Sequence, residues 1–194
     1  MKNLKIDFDF NRTELQRCID ALKKSREDCI VILQHTGERF TDEFKVDIYL
    51  PAATSSELFQ PQNGSLMDLM NSGRLGVIRN TQLRNRLSTW LPLLDRLRER
   101  ENLSVEFDNN IIRYVFKHGS WLNADEVEEN ELITALNLPP SGFKANNNDM
   151  LQSIEFENII ENQIIFYTLM LDRQEECMEN LIEIIDLLEA EITP

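Results

Sequence analysis

The chain has 194 residues, of which 34 are acidic and 20 are basic, so its formal net charge is -14. This length favours one domain with a sizeable core, while the acidic surplus repels phosphate backbones and anionic lipids and so disfavours general binding to nucleic acids or membrane surfaces. Six glycines, six prolines and many Leu, Ile and Glu residues favour helices over strands, so we predict an all-α protein.

The first predicted element is a long amphipathic helix over residues 4–36. Its apolar residues recur at intervals of three, four and seven, the spacing of one helix face. They are Phe8, Leu15, Cys18, Leu22, Cys29 and Ile32. Residues 40–63 follow, contain Pro51 and Pro61, and are typical of a connection with short helices.

The next predicted element is an arginine-rich helical segment over residues 65–119, with a corner at 73–80. Gly73 is placed to end one helix and Asn80 to cap the next. The apolar stripe after the corner consists of Leu83, Leu87, Trp90, Leu94 and Leu97. We predict that the stripe resumes at Val105 and Phe107, and that Pro92 kinks the helix.

Residues 120–149 are predicted to form a mobile loop with a short helix near residues 128–136. A long C-terminal helix is then predicted over residues 151–191. Its seam has heptad spacing and is polar only at Gln174: Ile164, Tyr167, Leu171, Gln174, Met178, Leu181, Ile185, Leu188 and Ile192.

Two long striped helices at the ends of one chain are most simply paired with each other. We therefore predict a single helical domain over 1–194, an elongated antiparallel bundle of three to four main helices with the terminal helices paired. In that register Cys18 lies near Cys177. A disulfide between them is a candidate in an oxidising compartment, and buried free thiols are the other interpretation.

The sequence contains no recognisable catalytic constellation. It has no Glu-x-x-His pair, no phosphate-binding loop and no metal-binding motif, and its three cysteines lack metal-ligand spacing. We therefore predict no catalytic residue, no cofactor-binding residue and no metal ligand, and that the protein is not an enzyme.

Seven of the thirteen arginines lie between residues 71 and 100, which indicates a local basic patch. One interpretation is an anion or partner contact at Arg79, Asn80, Thr81 and Arg84, because the first amides of a capped helix attract anions. Another is that these arginines pair with the acids of the C-terminal helix.

A third interpretation of the patch is a DNA-reading helix-turn-helix. Its reading side chains would be Thr81, Gln82, Asn85 and Arg86. The corner is longer than the turn of that motif, and the net charge opposes DNA binding. Nucleic acid is therefore disfavoured as a partner.

The run "NSGRLGVIRNTQLRNRLSTW", from Asn71 to Trp90, resembles the most recognisable motif of an uncharacterised family of bacterial single-span membrane proteins. The matching positions are Ser72-Gly73, Arg74-Leu75, Ile78-Arg79-Asn80 and Leu83-Arg84. "LKIDFDFNRTELQRCIDAL" resembles the first helix after that family's span, and residues 155–191 resemble its last helix. The chain departs from the pattern at Trp90, where tyrosines are usual, at Pro92, and in lacking the span.

The resemblance implies a location rather than an activity. In that family a basic N-terminus and one hydrophobic helix precede the position of Lys2, so we expect an inner-membrane anchor missing from this sequence and a domain in the periplasm. The family brings no established activity, cofactor or catalytic residue.

We therefore expect a non-enzymatic extracytoplasmic domain that acts in protein interaction or sensing. Its partner would be an unknown protein, a second copy or a small anion. Terminal helices that meet at one end would let the domain pass a small helix shift across the membrane. The alternatives are a soluble cytoplasmic helical adaptor and a helix-turn-helix DNA-binding protein.

Overall fold

A computed structural model describes residues 1–125 and 131–192, and these residues form helices and no strand. The α-helices are α1 (Lys2–Leu33), α2 (Leu50–Ala53), α3 (Gly64–Asn71), α4 (Thr81–His118), α5 (Trp121–Asp125), α6 (Glu131–Leu136) and α7 (Ile154–Ile192). Short 3-10 helices lie at Gly37–Arg39, Val46–Ile48, Arg74–Val77 and Asn147–Gln152. The prediction of an all-α fold is confirmed.

The long terminal helices lie close to their predicted positions, since α1 corresponds to the predicted helix over 4–36 and α7 to that over 151–191. The arginine-rich segment divides into α3, a 3-10 helix and the 38-residue α4. The predicted kink site, Pro92, lies inside α4, which continues on both sides of it. Pro92 is exposed, so water can reach the backbone carbonyl that lacks a partner there.

Each long helix buries one seam in which the spacing alternates between three and four residues, as in a coiled coil. In α1 the seam is Leu4, Phe8, Asn11, Leu15, Cys18, Leu22, Ser25, Cys29 and Ile32. In α4 it is Leu83, Leu87, Trp90, Leu94, Leu97, Glu101, Ser104, Asp108, Ile111 and Val115. In α7 it is Phe156, Ile160, Gln163, Tyr167, Met170, Gln174, Cys177, Leu181, Ile184 and Leu188.

The predicted continuation of the α4 stripe at Val105 and Phe107 is wrong. Val105 is 37% exposed, and the buried seam passes through Glu101, Ser104 and Asp108 instead. The apolar pattern was misleading because the true seam is polar over these two turns.

The chain divides into two compact units. Unit 1 comprises Met1–Ala21, Glu57–Glu101 and Met170–Pro194, and unit 2 comprises Leu22–Ser56 and Asn102–Leu169. The three long helices pass through both units, so each unit contains a segment of α1, of α4 and of α7.

The long helices pack against one another within each unit. In unit 1, Lys5 of α1 pairs with Glu189 of α7 at 3.1 Å, and Arg96 of α4 pairs with Glu176 at 3.6 Å. In unit 2, the ring of Tyr114 stacks on Phe156 with centroids 5.4 Å apart. The predicted pairing of the N- and C-terminal helices is confirmed.

Residues 55–63, called the strap here, form no helix yet run beside the buried seams. In unit 2, the Ser25 hydroxyl donates to the Ser55 carbonyl at 3.3 Å. In unit 1, the Phe59 N–H donates to Glu101 at 2.8 Å, and the Asn11 amide both accepts from the Gln62 N–H at 2.6 Å and donates to its carbonyl at 2.9 Å.

The strap explains why the seams of α1 and α4 contain polar residues. A segment outside a helix or sheet has backbone groups without internal partners, and leaving such groups buried and unpaired is costly. Side chains of the helices supply the missing partners. The polar residues of these two seams, Asn11 and Ser25 of α1 and Glu101, Ser104 and Asp108 of α4, each hydrogen-bond a residue of the strap.

The C-terminal part of the predicted mobile loop over 120–149 is packed in unit 2. Asn148 is buried, accepts from the Val46 N–H at 3.0 Å and donates to the Phe44 carbonyl at 2.6 Å. Asn147 accepts from the Ser120 N–H at 2.7 Å. A short helix was predicted near residues 128–136, and α6 occupies the part of this range from Glu131 to Leu136. Residues 126–130 lie outside the described part of the chain.

Within residues 1–125 and 131–192, no helix has the length and apolarity that a membrane crossing requires.

Candidate functional site

The corner at residues 73–80 joins α3 to α4 in unit 1. Gly73 has φ +68°, the left-handed region that favours glycine, and its N–H donates to the Met70 carbonyl at 3.1 Å. Ile78 is buried and fixes the corner to the core. The side-chain oxygen of Asn80 accepts from the Leu83 N–H at 3.1 Å, which is the N-cap geometry predicted from the sequence.

A cleft of about 360 Å³ lies beside this corner in unit 1. It is lined by Met1, Leu69, Arg74, Val77, Ile78, Arg79 and Glu191. Of the four predicted contact residues, the structure places Arg79 in the cleft but not Asn80, Thr81 or Arg84. The Arg84 guanidinium instead donates to the Thr81 hydroxyl at 3.3 Å.

Arg74 and Glu191 line the cleft but were not among the predicted contact residues. Arg74 belongs to the corner motif and could have been included on that basis. Glu191 lies in the last turn of α7, and only the packing of unit 1 brings it to the corner.

Internal pairing occurs at other arginines of α4. Among the residues that the structure describes, no carboxylate oxygen lies within 4.0 Å of the guanidinium nitrogens of Arg79 or Arg84. Arg86 pairs with Glu183, and Arg96 with Glu176. These side chains are about half exposed, so each pair contributes only about 0–1 kcal/mol to stability.

The side chains predicted to read DNA lie in the first turns of α4. Thr81, Gln82 and Asn85 are exposed, whereas Arg86 is held by Glu183 and donates to Asn180 at 3.5 Å. One of the four predicted reading side chains is therefore already engaged within unit 1.

Trp90 is fully buried in unit 1. Its ring N–H donates to the Asn63 side chain at 2.8 Å, and its ring lies 5.5 Å from that of Phe8. The indole therefore helps to hold the end of the strap.

The cysteines are free thiols, and all three are buried. The candidate disulfide between Cys18 and Cys177 is not formed in the structure. Burial raises the pKa of Cys18 to about 11 and that of Cys177 to about 12. Both thiols are therefore uncharged and unreactive at neutral pH.

A buried polar cluster in unit 2 surrounds Asp108. One carboxylate oxygen accepts from the Ser56 N–H at 3.1 Å. The other accepts from the Gln163 amide at 2.6 Å and from the Tyr167 hydroxyl at 3.0 Å. Burial raises the pKa of Asp108 above its ordinary value, and these hydrogen bonds oppose that rise.

The cluster can satisfy Asp108 in both protonation states. The Tyr167 hydroxyl also lies 3.1 Å from the Ala53 carbonyl. Because the hydroxyl has one proton, it can donate either to this carbonyl or to the Asp108 carboxylate, but not to both. The Gln163 side-chain oxygen is buried and has no hydrogen-bond partner in the part of the chain that the structure describes. A flip of the amide would let it accept from a protonated Asp108. This cluster is not visible in the sequence because Ser56, Asp108 and the pair Gln163 and Tyr167 lie on three separate segments.

A second cleft, of about 350 Å³, lies between α4 and α7 in unit 2. It is lined by Phe107, Asn110, Ile154, Glu155, Asn158, Ile159 and Asn162. We call it the unit 2 groove. Three of the seven lining residues are apolar, three carry amides and one carries a carboxylate, and Ile154 is 70% exposed.

Within the described ranges, no group of three or more His, Cys, Asp or Glu side chains is arranged to hold a metal ion. Comparisons with protein-family models, curated proteins and solved structures found no match to the chain.

Proposed function

We propose that this chain is a helical interaction or sensing domain of a membrane-anchored protein, placed in the periplasm, and that it is not an enzyme. The observation that carries the interaction function is the unit 2 groove. Contiguous exposed apolar surface edged by polar side chains is typical of sites that bind other proteins.

The use of the buried polar side chains supports a structural role for the interior. Asn11 and Glu101 hydrogen-bond backbone groups of the strap, and Asp108 bonds the Ser56 N–H together with the side chains of Gln163 and Tyr167. A general acid or base must lie within reach of a substrate, and side chains committed to the strap are poorly placed for that task.

The termini of the long helices support a role in sensing. In unit 1 the start of α1 and the end of α7 are joined by the Lys5–Glu189 ion pair, and Met1 and Glu191 line the same cleft. An anchor helix that preceded α1 would act directly on this pair. A small shift of the anchor would therefore reach α7 as well.

Cell fractionation tests the anchoring and the location. Antibody detection in bacterial cells that produce the protein from its own gene should find it in the membrane fraction. Protease added to spheroplasts should degrade it while sparing a cytoplasmic marker. A soluble, protease-protected protein would instead establish a cytoplasmic location.

A cytoplasmic helical adaptor is the second candidate, and the three free thiols favour it. Thiols persist in the reducing cytosol, whereas oxidising compartments promote disulfides. The same fractionation separates the two candidates, because the adaptor would appear in the soluble cytoplasmic fraction.

A further inference from the structure

The floor of the unit 2 groove is aromatic and its edge is aliphatic. Phe107 of α4 lines the groove and stacks on Phe166 of α7, with ring centroids 3.7 Å apart and planes inclined by 22°. Ile154 and Ile159 add aliphatic surface from α7. Covering such side chains with a partner would remove apolar area from water, which is the main source of binding energy.

Helical spacing extends this surface along both helices. On α4, Leu103 lies four residues before Phe107 and is therefore on the same helix face. On α7, Leu169 lies three residues after Phe166 and is on the same face as Phe166. Both leucines are exposed. From Ile154 to Leu169 the surface is about 22 Å long, four turns of a helix. A strip between two helices is suited to a third helix packed alongside them.

The negative charge at the groove favours an incoming helix that carries basic side chains. Glu155 is the only charged residue in the groove lining, and among the described residues it has no ion pair. A second copy of this chain would bring another Glu155 and another net charge of -14. Basic side chains on the incoming helix would be attracted by both the local carboxylate and the overall field.

We propose that the unit 2 groove binds an amphipathic helix of another protein that carries lysines or arginines beside its apolar anchors. This inference rests on the proposed interaction function and names its partner class. The anchors contact Phe107, Ile154 and Ile159, and a basic side chain pairs with Glu155. The amides of Asn110 and Asn158 bond the polar edge of the incoming helix.

Designed peptides of about fifteen residues, the length of the groove, test the proposal. One has leucines at helical spacing and lysines on its flanks, a second has glutamates in place of the lysines, and a third scrambles the first. Fluorescence anisotropy with the complete chain measures the dissociation constants. The basic helix should bind saturably, and the acidic and scrambled peptides roughly tenfold or more weakly.

Surface variants then locate the binding. Ile154→Lys removes an exposed anchor and should weaken binding of the basic peptide by roughly tenfold. Ile182→Lys, at an exposed position of α7 in unit 1, is the matched control and should leave binding unchanged. Glu155→Lys should reduce the preference for the basic over the acidic peptide. Circular dichroism checks that each variant remains folded.

Several results would overturn the proposal. They are equal affinities for the basic and acidic peptides, no saturable binding at millimolar peptide, or a dissociation constant unaffected by Ile154→Lys. Sedimentation showing a dimer of the wild-type chain that Ile154→Lys dissociates would assign the groove to a second copy. Binding to phosphatidylcholine vesicles that the same substitution abolishes would assign it to lipid.

The fractionation experiment separates this inference from the proposed function. A membrane-bound, periplasmic protein that ignores the basic peptide would refute the partner class alone. A cytoplasmic protein that binds the peptide through Ile154 would refute the anchored location and leave the partner class standing.

Discussion

Gln174 of α7 is fully buried, and neither atom of its side-chain amide has a hydrogen-bond partner among the described residues. It differs in this respect from Asn11 and Asp108, whose buried polar atoms hold backbone groups of the strap. Gln174 is also the residue that breaks the apolar seam predicted for α7. The burial of the Gln174 amide is therefore not offset by a hydrogen bond within the described residues.

Gln174→Leu should stabilise the protein, because leucine has a similar volume and no amide to leave unpaired. We expect the free energy of unfolding to rise by about 1–3 kcal/mol and the Tm to rise by several degrees. Gln82→Leu, at an exposed position of α4, is the control and should change the Tm little. A lower Tm for Gln174→Leu in differential scanning calorimetry would contradict this account.

Asp108→Asn should alter the pH dependence of stability. Because burial raises the folded-state pKa above the ordinary 3.8, protonation of Asp108 favours the folded state. Its contribution is complete below the ordinary pKa and is lost as pH rises through the folded-state pKa. The asparagine variant mimics the protonated acid and loses this dependence.

The Asp108 prediction is checked by the Tm measured between about pH 4 and pH 8. The Tm of the wild type should decline more steeply with rising pH than that of Asp108→Asn. Glu106→Gln, an exposed position on the same helix, controls for the loss of one negative charge. Parallel wild-type and Asp108→Asn profiles would show that Asp108 does not titrate in this way.

The paired substitutions Arg79→Gln and Arg84→Gln should leave the melting temperature of the free protein almost unchanged. Neither guanidinium has a carboxylate partner among the described residues, so no ion pair is lost. Arg86→Gln removes the pair with Glu183 and should cost about 0–1 kcal/mol. A loss of several degrees in the Arg79, Arg84 double variant would support internal pairing over an external anion.

At the scale of elements, the strap and the helix seams depend on each other. Residues 55–63 of the strap lie outside any helix, and polar side chains of α1 and α4 bond several of their backbone groups. The strap in turn supplies hydrogen-bond partners to buried polar groups of those helices. Glu101 shows this in unit 1, where its carboxylate accepts from the Phe59 N–H.

Asn11→Ala should destabilise the strap. The change removes both hydrogen bonds to Gln62 and leaves its backbone N–H and carbonyl without these partners, at a cost of about 2 kcal/mol. Asn3→Ala, at an exposed position of α1, is the matched control and should have little effect. Urea unfolding measures the stability, and limited proteolysis should cut residues 55–63 faster only in Asn11→Ala.

At the scale of the whole molecule, the net charge of -14 gives the chain a negative electrostatic field. The arginines between residues 71 and 100 form a local region of positive charge. Part of that charge is neutralised because Arg86 and Arg96 pair with glutamates of α7. The resulting field disfavours polyanions and favours basic partners.

The chain should not retard random-sequence duplex DNA in a gel, even at low salt. Non-specific binding to phosphates is strongest at low salt and would appear before any specific binding. Retardation that the Arg79→Gln, Arg84→Gln double variant abolished would revive the helix-turn-helix hypothesis. Retardation that this variant left intact would place DNA binding elsewhere on the chain.

Local sequence determined the helices and the corner. These features act within a few helical turns, so their effect can be predicted without tertiary contacts. They are the three-and-four spacing of apolar residues in α1 and α7, the glycine at position 73 and the N-cap residue Asn80. The corner was therefore predicted at the right residues, with Gly73 after the end of α3 and Asn80 before the start of α4. The cleft beside it was predicted only in part, through Arg79.

Only the tertiary structure decided where polar residues enter the core. The polar seam at Glu101, Ser104 and Asp108 looks like an exposed face, and its burial makes sense only once the strap is seen beside it. Glu191 in the cleft and Phe166 beneath the groove likewise depend on which helices pack together. Apolar periodicity is a property of one segment, whereas the satisfaction of buried hydrogen bonds depends on which segments meet.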